Sequence, residues 1–189
     1  MTTPRVPLLP VDDAKVVARD LGIPEVMAEL TVFRALLAHP KLAGGLYALL
    51  SMLLWHGQLD PRLRELLIMR IGWRTGSVYE WTQHWRVALS LDVDPDDVLA
   101  VRDWQERDRF GSAERAVLAA TDETLDTGTI SDATWSACEQ HVGGPEVLTE
   151  MVVAIGNWRM FASVLRSLEI PLEDGVAPWP PDGEVPLVG

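Results

Sequence analysis

Apolar residues recur along most of this chain at the three- and four-residue spacing of one helical face. In the stretch that follows Pro24, for example, Val26, Leu30, Phe33 and Leu37 keep this spacing. No stretch shows the two-residue alternation that is typical of a half-buried strand. The pattern therefore predicts an all-α fold, with helices over residues 12–22, 24–40, 41–57, 60–76, 77–91, 94 to at least 104, 112–125, 131–142 and 144–168.

Two of these predicted helices are apolar on most sides. The helix over 41–57 is expected to be central, and either a buried monomer core or an oligomer contact would explain its composition. The helix that begins at Asp60 is apolar almost all round and is expected to be buried. Glu65 lies within it, and a carboxylate in such surroundings needs a partner or a proton.

Both ends of the chain are rich in proline and predict extended backbone. We expect an N-terminal arm over 1–11 and an extended tail over 170–189, with a single helical domain spanning 1–189. The tail is either disordered or docked on a neighbouring subunit with Trp179 as its anchor. We expect docking, because a tryptophan between prolines is uncommon without a contact.

Composition narrows the classes of partner and compartment. A formal net charge of −12 argues against nucleic acid and anionic membranes as partners. The longest apolar runs are too short to cross a bilayer, and no charged-then-apolar leader opens the chain. The single cysteine, Cys138, excludes an internal disulfide and a cysteine-rich metal site. These features favour a cytoplasmic protein.

The segment from Ser77 to His84 contains a carboxylate and an imidazole within one helical turn, which makes it the main candidate for a catalytic site. Glu80 and His84 are four residues apart, so on a helix their side chains lie one turn apart on one face. The carboxylate would fix the imidazole tautomer and raise its basicity. Two structural alternatives stay open: Ser77 and Glu80 match a capping box, and a lone histidine is often structural. A carboxylate in a first turn is held ionised by the helix dipole, which favours Glu80 as a base rather than a proton donor.

The run Leu59–Gly72, followed by Tyr-Glu-Trp-Thr-Gln-His at 79–84 and by Ala88, resembles the carboxymuconolactone decarboxylase family. The resemblance covers about residues 46–127, which we take as the family-like core. It implies the all-helical fold of alkylhydroperoxidase D-like (AhpD-like) proteins. It also implies a homo-oligomer, either a trimer, a hexamer or a dimer.

The peroxidase branch of this superfamily carries Cys-x-x-Cys-x-x-x-His. Aligned on His84, its cysteines fall on Ser77 and Glu80, and an upstream glutamate falls on Glu65. Neither cysteine is present, and Cys138 lies in another predicted helix. Thiol peroxidation needs one thiolate to be oxidised and a second thiol to resolve it, so we expect it to be absent. Glu80 and His84 match the Glu-x-x-x-His of the decarboxylase branch.

The resemblance implies a lyase that uses neither cofactor nor metal and acts on a small unsaturated lactone or carbonyl acid. His84 would protonate a carbon atom of the substrate, and Glu80 would supply the proton to His84. Glu65 would relay the proton or position the substrate. An arginine is needed to bind a carboxylate or an enolate. The proposed substrate ligands are Arg70, Arg74, Arg159, Trp81, Ser77 and Tyr79.

Other interpretations stay open. The chain can be a non-catalytic helical oligomer in which the motif serves as a cap and a packing element, or a redox protein that has lost its cysteine pair. Trp73, Trp81 and Trp85 are expected in the core rather than around a cofactor. Arg62, Arg64 or Arg70 can pair with Glu65. Only Glu80 and His84 have the spacing of metal ligands, and no third ligand is evident.

Overall fold

The computed structural model describes residues 3–187, and every regular element in that range is helical. The predicted all-α fold is confirmed. The α-helices of the described range are α1 (Val11–Asp20), α2 (Thr31–Leu36), α3 (Pro40–Ser51), α4 (Pro61–Thr75), α5 (Val78–Ser90), α6 (Pro95–Ala100), α7 (Ser112–Thr127), α8 (Asp132–His141) and α9 (Pro145–Ser167). Short 3-10 segments cover Glu25–Glu29 and Val101–Glu106, and a π-helical turn covers Met52–His56.

The chain divides into two compact units, each discontinuous in sequence. One unit contains the described residues up to Gly57 together with Val164–Val176. The other contains Gln58–Ser163 and the segment that begins at Ala177. The organisation as a single domain stays a prediction. Every candidate catalytic residue lies in the second unit.

The first unit contains α1, α2 and α3. Thr31, the first residue of α2, contacts the segment after α9, because its hydroxyl donates to the carbonyl of Pro171 at 2.5 Å. The helix predicted over 41–57 is not central within its unit, and an oligomer contact stays a prediction. Leu42, Met52 and Trp55 are 49%, 40% and 54% exposed. This apolar stretch buries only one stripe of its surface, and the rest faces outward.

The second unit is built on α4, in which Leu63 through Gly72 are all buried. Asp60 accepts hydrogen bonds from the backbone amides of Arg62 and Leu63 at the start of α4. Gly76 closes α4 in the left-handed conformation, with φ 66°. Because only Gly76 and Ser77 separate α4 from α5, the two helices form a tight hairpin. A core of buried apolar side chains forms around this hairpin, and it comprises Leu66, Met69, Trp81, Trp85, Ala88, Val93, Val98, Ala100, Val101, Trp104, Phe110, Leu118 and Trp179.

The part of the tail that begins at Ala177 packs on the second unit, to which it belongs. Trp179 is 7% exposed, and the indole N–H of Trp81 donates to the carbonyl of Pro180 at 2.7 Å. Arg102 forms ion pairs with Asp182 and Glu184, both at 2.7 Å. Docking through Trp179 is therefore present within this chain, and the expected neighbouring subunit was the wrong partner. Residues 1–2 of the predicted arm and 188–189 of the predicted tail lie outside the described residues.

Within residues 3–187, no helix combines the length and the apolar character that crossing a bilayer requires.

Candidate active site

A close approach of α4 and α5 sets the geometry of the site. A methyl group on Gly72 would lie 3.1 Å from the backbone nitrogen of Trp81 and 3.6 Å from Cβ of Glu80. A contact of 3.1 Å is tighter than ordinary van der Waals packing, so a larger residue here would require α5 to shift by a few tenths of an ångström. Glu65 precedes Gly72 by seven residues and therefore lies on the same face of α4. This face directs Glu65 toward α5, where His84 lies.

Glu65 binds His84 on one side and Arg64 on the other. Nδ1 of His84 lies 2.7 Å from Oε2 of Glu65. Nε of Arg64 donates to Oε1 of Glu65 at 3.0 Å. Glu65 is fully buried, and Arg64 is 6% exposed. The buried carboxylate therefore has both the partner that its surroundings demand and a second one in the imidazole.

The other ring nitrogen of His84 has two neighbours. Nε2 lies 3.5 Å from Oε2 of Glu80 on the same helix. The indole N–H of Trp158, on α9, donates to Nε2 at 3.1 Å. The side chain of His84 is 12% exposed and that of Glu80 is 7% exposed, so the site is almost closed to solvent.

The pKa values of Glu80 and His84 are both displaced. Burial raises the pKa of Glu80 to about 7, although the charge of His84 acts to lower it. Burial alone would lower the pKa of His84, but the charge and hydrogen bond of Glu65 and the charge of Glu80 raise it overall. Glu80 can therefore hold a proton near neutral pH. Burial therefore opposes the ionised state of Glu80 that the helix dipole was expected to favour.

The predicted capping box between Ser77 and Glu80 does not form. Ser77 is the N-cap residue of α5, but its side chain accepts no hydrogen bond from the helix. Its Oγ is fully buried and has no hydrogen-bond partner within the described part of the chain. Glu80 approaches His84 rather than reaching back to Ser77.

The three predicted arginine ligands are engaged in other contacts. Arg70 follows Glu65 by five residues, so it projects from a different face of α4. Its guanidinium binds both carboxylate oxygens of Asp122, at 2.7 and 2.8 Å. Arg74 binds Asp122 and Asp126 at 2.9 and 2.5 Å. Arg159 is exposed and donates to the carbonyl of Thr124 at 2.9 Å. The structure thus places none of them beside His84 in the contacts of the described chain.

Two other predicted substrate ligands are buried by packing. Trp81 is fully buried and stacks on Trp85, with ring centroids 6.5 Å apart. It also lies beneath the guanidinium of Arg102, 4.9 Å from the ring centroid. Tyr79 is 4% exposed. The core position predicted for Trp81 and Trp85 is confirmed, whereas Trp73 is only partly buried and packs against that core.

Trp158 is the site residue that the sequence did not predict. It appears there only as one apolar position of the last helix, and it is 74 residues from His84. Helical spacing predicts neighbours within one helix but not contacts between distant helices, so no sequence signal marked this pair. Arg64 was predicted only as one of three alternative partners of Glu65.

Cys138 lies away from this arrangement on α8. It is fully buried, and its Sγ contacts the carbonyl oxygen of Ala116 at 3.6 Å. Burial raises the pKa of its thiol to about 11, which keeps it protonated and unreactive. Among residues 3–187, no group of three or more histidine, cysteine, aspartate or glutamate side chains could hold a metal ion.

Comparison with solved structures establishes the fold. An uncharacterized peroxidase-related protein of Ralstonia eutropha JMP134, described as an alkylhydroperoxidase AhpD core, superposes with a TM-score of 0.74 and 16% identity, covering 92% of this chain and 94% of that one. A peroxidase-related protein of Silicibacter sp. TM1040 gives 0.72 and 15%, covering 93% and 92%. The debrominase Bmp8 gives 0.73 and 16%, covering 88% and 91%. At such identities the likeness concerns the fold.

The sequence comparison agrees with the structural one. No curated protein matches the chain. The model of the carboxymuconolactone decarboxylase family matches residues 40–123, a range that contains Glu65, Glu80 and His84. Residues 40–123 are therefore similar to the carboxymuconolactone decarboxylase family, and the chain has the helical fold of AhpD-like proteins.

Proposed function

We propose that this protein is an acid–base enzyme of the lyase or isomerase type that acts on a small unsaturated lactone or carbonyl acid without a cofactor. Each ring nitrogen of His84 faces a buried carboxylate, Glu65 at 2.7 Å and Glu80 at 3.5 Å, and this observation carries the proposal. A histidine held in this way can both take and give a proton near neutral pH.

The charges of the site support a single mobile proton. Arg64 and ionised Glu65 neutralise each other, so they leave Glu80 and His84 to share one proton. The proton resides either on Glu80, next to a neutral imidazole, or on Nε2 of His84, next to a carboxylate. Both states are neutral overall, which is the condition under which a buried site tolerates ionisable groups. The pKa of Glu80, about 7, makes the exchange accessible at neutral pH.

The chemistry follows from this proton. In decarboxylation, the bond between the substrate and its carboxylate breaks, carbon dioxide leaves, and the electron pair remains on the substrate as a dienolate. Nε2 of His84, with Glu80 ionised beside it, then gives its proton to carbon, and a proton from water replaces the one that Glu80 and His84 share. In isomerisation, neutral Nε2 would first remove a proton from one carbon and then return it to another. Glu65 keeps the imidazole oriented in both cases.

We assign a side chain to the substrate only where it has no hydrogen-bond or ion-pair partner within the described part of the protein. Arg70 and Arg74 are occupied by acidic residues of α7, and we therefore do not assign them to the substrate. Ser77 is the N-cap residue of α5, and its buried hydroxyl has no partner in the described chain. We assign this hydroxyl to the substrate, where it would donate to a carbonyl or carboxylate oxygen.

The test is a panel of unsaturated lactone acids and β-keto acids assayed in heavy water. Carbon dioxide release reports decarboxylation, and nuclear magnetic resonance reports deuterium at the protonated carbon. We expect His84→Ala to remain folded and to lose about 10²–10⁴-fold of the turnover. The matched control is His141→Ala, because His141 is exposed at the end of α8. Unchanged turnover in His84→Ala would remove His84 from the mechanism.

A purely structural role for the motif is the competing interpretation. That interpretation depended on a capping box between Ser77 and Glu80, but the side chain of Ser77 accepts no hydrogen bond from the backbone of α5. Burying Glu80 opposes its ionisation, so it weakens the fold at neutral pH rather than strengthening it. A thiol-dependent reaction is not supported either. Ser77 and Glu80 occupy the positions of the cysteine pair, and Cys138 is fully buried.

A further inference from the structure

Nε2 of His84 lies between two groups with opposite requirements. The indole N–H of Trp158, 3.1 Å away, can only donate a hydrogen bond. Oε2 of Glu80, 3.5 Å away, can accept one when the carboxyl is ionised. A single ring nitrogen cannot satisfy both at once, because it either carries a proton or offers a lone pair.

The observed contacts select one protonation state. Glu65, paired with Arg64, is an acceptor, so the proton of the imidazole lies on Nδ1 and points at Oε2 of Glu65. Nε2 then has a lone pair, and the indole N–H of Trp158 donates to it. An imidazolium would place two N–H groups opposite each other at 3.1 Å, an arrangement without a hydrogen bond.

We propose that Trp158 is a positioning residue that holds His84 as the neutral imidazole protonated on Nδ1, and that Glu80 replaces Trp158 as the partner of Nε2 whenever that nitrogen carries a proton. This inference rests on the proposed function only in that Nε2 is the nitrogen that exchanges protons with the substrate. Trp158 itself transfers no proton, since an indole N–H is far too weak an acid.

The packing indicates which of the partners moves. Trp158 is 1% exposed, and its ring meets the imidazole edge-on at 85°, with centroids 5.7 Å apart. Such a buried ring is fixed by its neighbours. The contact between Glu80 and Nε2 is 0.7 Å or so longer than an ordinary charge-assisted hydrogen bond, at roughly 2.8 Å. A small rotation of the Glu80 side chain or the imidazole therefore completes the exchange.

The electrostatic surroundings oppose the effect of Trp158. The charged groups that face His84 are Arg64 and Glu65 on α4 and Glu80 on α5, and α9 contributes the uncharged indole. The two carboxylates raise the pKa of His84, whereas the indole N–H bonds only to the neutral ring. Trp158 therefore favours the base form of His84 in surroundings whose carboxylates favour the cation.

The direct test is the ring nitrogen chemical shifts of ¹⁵N-labelled histidine followed against pH in the full-length protein. The His84 signals are identified by their loss in His84→Ala. We expect the neutral form of His84 in the wild-type protein to carry its proton on Nδ1. In Trp158→Phe, which removes the N–H but keeps an aromatic ring, we expect the pKa of His84 to rise by roughly half to one unit.

The proposed role of Trp158 is tested with a matched control variant and with two results that would overturn it. Trp55→Phe changes a tryptophan that is 54% exposed, and it should leave the His84 titration unchanged. A wild-type protein whose neutral His84 carries its proton on Nε2 would overturn the proposal without any variant being needed. An unchanged titration in folded Trp158→Phe would overturn it as well.

The same variants separate this inference from the proposed reaction. If the pKa of His84 shifts in Trp158→Phe but no compound of the panel is turned over, the positioning role stands and the proposed reaction fails. If the wild-type protein is active and Trp158→Phe leaves both the pH–rate profile and the titration unchanged, the reaction stands and the role of Trp158 fails. When both are right, the pH–rate profile of Trp158→Phe moves to higher pH by the same half to one unit or so.

Discussion

Replacing Glu80 by glutamine should stabilise the protein at alkaline pH and have little effect at acidic pH. Glutamine has the shape of the protonated carboxyl group but cannot ionise. Glu80 is 5% exposed, and burial raises its pKa from the ordinary value of 4.5 to about 7. Between these two pH values the native state holds a proton that the unfolded chain has already released, so stability falls as pH rises.

The magnitude follows from the displacement of the pKa. One unit of pKa corresponds to about 1.4 kcal/mol, so above pH 7 the ionisation of Glu80 costs the native state about 3 kcal/mol. At pH 5 the unfolded chain has released only part of its protons, and the cost is about 1 kcal/mol or less. Glu80→Gln removes this dependence. We therefore expect its stability relative to the wild-type protein to increase by about 2 kcal/mol from pH 5 to pH 8.

Urea denaturation at pH 5 and pH 8 measures this difference, with coincident fluorescence and circular dichroism transitions as the criterion for a single unfolding step. Glu139→Gln is the matched control, because Glu139 is exposed on α8 and its replacement should have the same small effect at both pH values. A capping role predicts the opposite sign, a loss of about 1 kcal/mol at either pH. That result, or a difference that does not change with pH, would refute the buried, protonated Glu80 described here.

Three further predictions follow from the hairpin of α4 and α5 and from α8. Glu65→Gln should destabilise the fold by about 3 kcal/mol in urea denaturation, because the guanidinium paired with Glu65 stays buried; a more stable variant would contradict this. Gly72→Ala should cost about 1–3 kcal/mol in thermal unfolding, whereas Gly45→Ala, where an added methyl group meets nothing within 4 Å, should be neutral or stabilising; equal effects would show that the close contact with Trp81 is unimportant. The thiol of Cys138 should react with a thiol reagent at pH 8 only after unfolding, because its pKa is about 11 in the folded protein; rapid labelling of the native state would show an open site.

The helical elements could be predicted because their signals are local. Asp60 and Gly76 lie at the two ends of α4 where a cap and a left-handed glycine belong, and the structure has the helix between them. The contact of Glu80 with His84 was likewise predictable, because a separation of four residues places two side chains together on any helix. These inferences need no knowledge of how the helices pack.

The predictions that differ from the structure concern features that depend on packing between helices. The helix over 41–57 is apolar enough to be central, yet Leu42 and Trp55 face outward, since composition does not say which neighbours a helix has. The sequence of Ser77 and Glu80 fits a capping box, but Glu80 turns toward His84 instead. Both were sound local inferences that the tertiary structure overrides.

The contacts between helices had no local signal of their own. Glu65 was associated with His84 only through the family resemblance, and the structure places the two 2.7 Å apart. Arg64 is adjacent to Glu65 in sequence, and adjacent side chains do not usually face each other on a helix, so its ion pair depends on the length of the arginine side chain. Trp158 reaches His84 from a helix that begins 61 residues after it.

The position of Glu80 explains how a fold shared with peroxidase-related proteins can support proton chemistry. A carboxylate at the start of a helix is ordinarily exposed, ionised and useless as an acid at neutral pH. Here burial raises the pKa of Glu80, and the carboxylates of Glu65 and Glu80 raise the pKa of His84 against its own burial. Because Arg64 neutralises Glu65, moving one proton between Glu80 and His84 changes no net charge in the site. The transfer to His84 nevertheless creates a buried ion pair, whereas the indole N–H of Trp158 bonds only to the neutral ring and so favours the state in which Glu80 holds the proton.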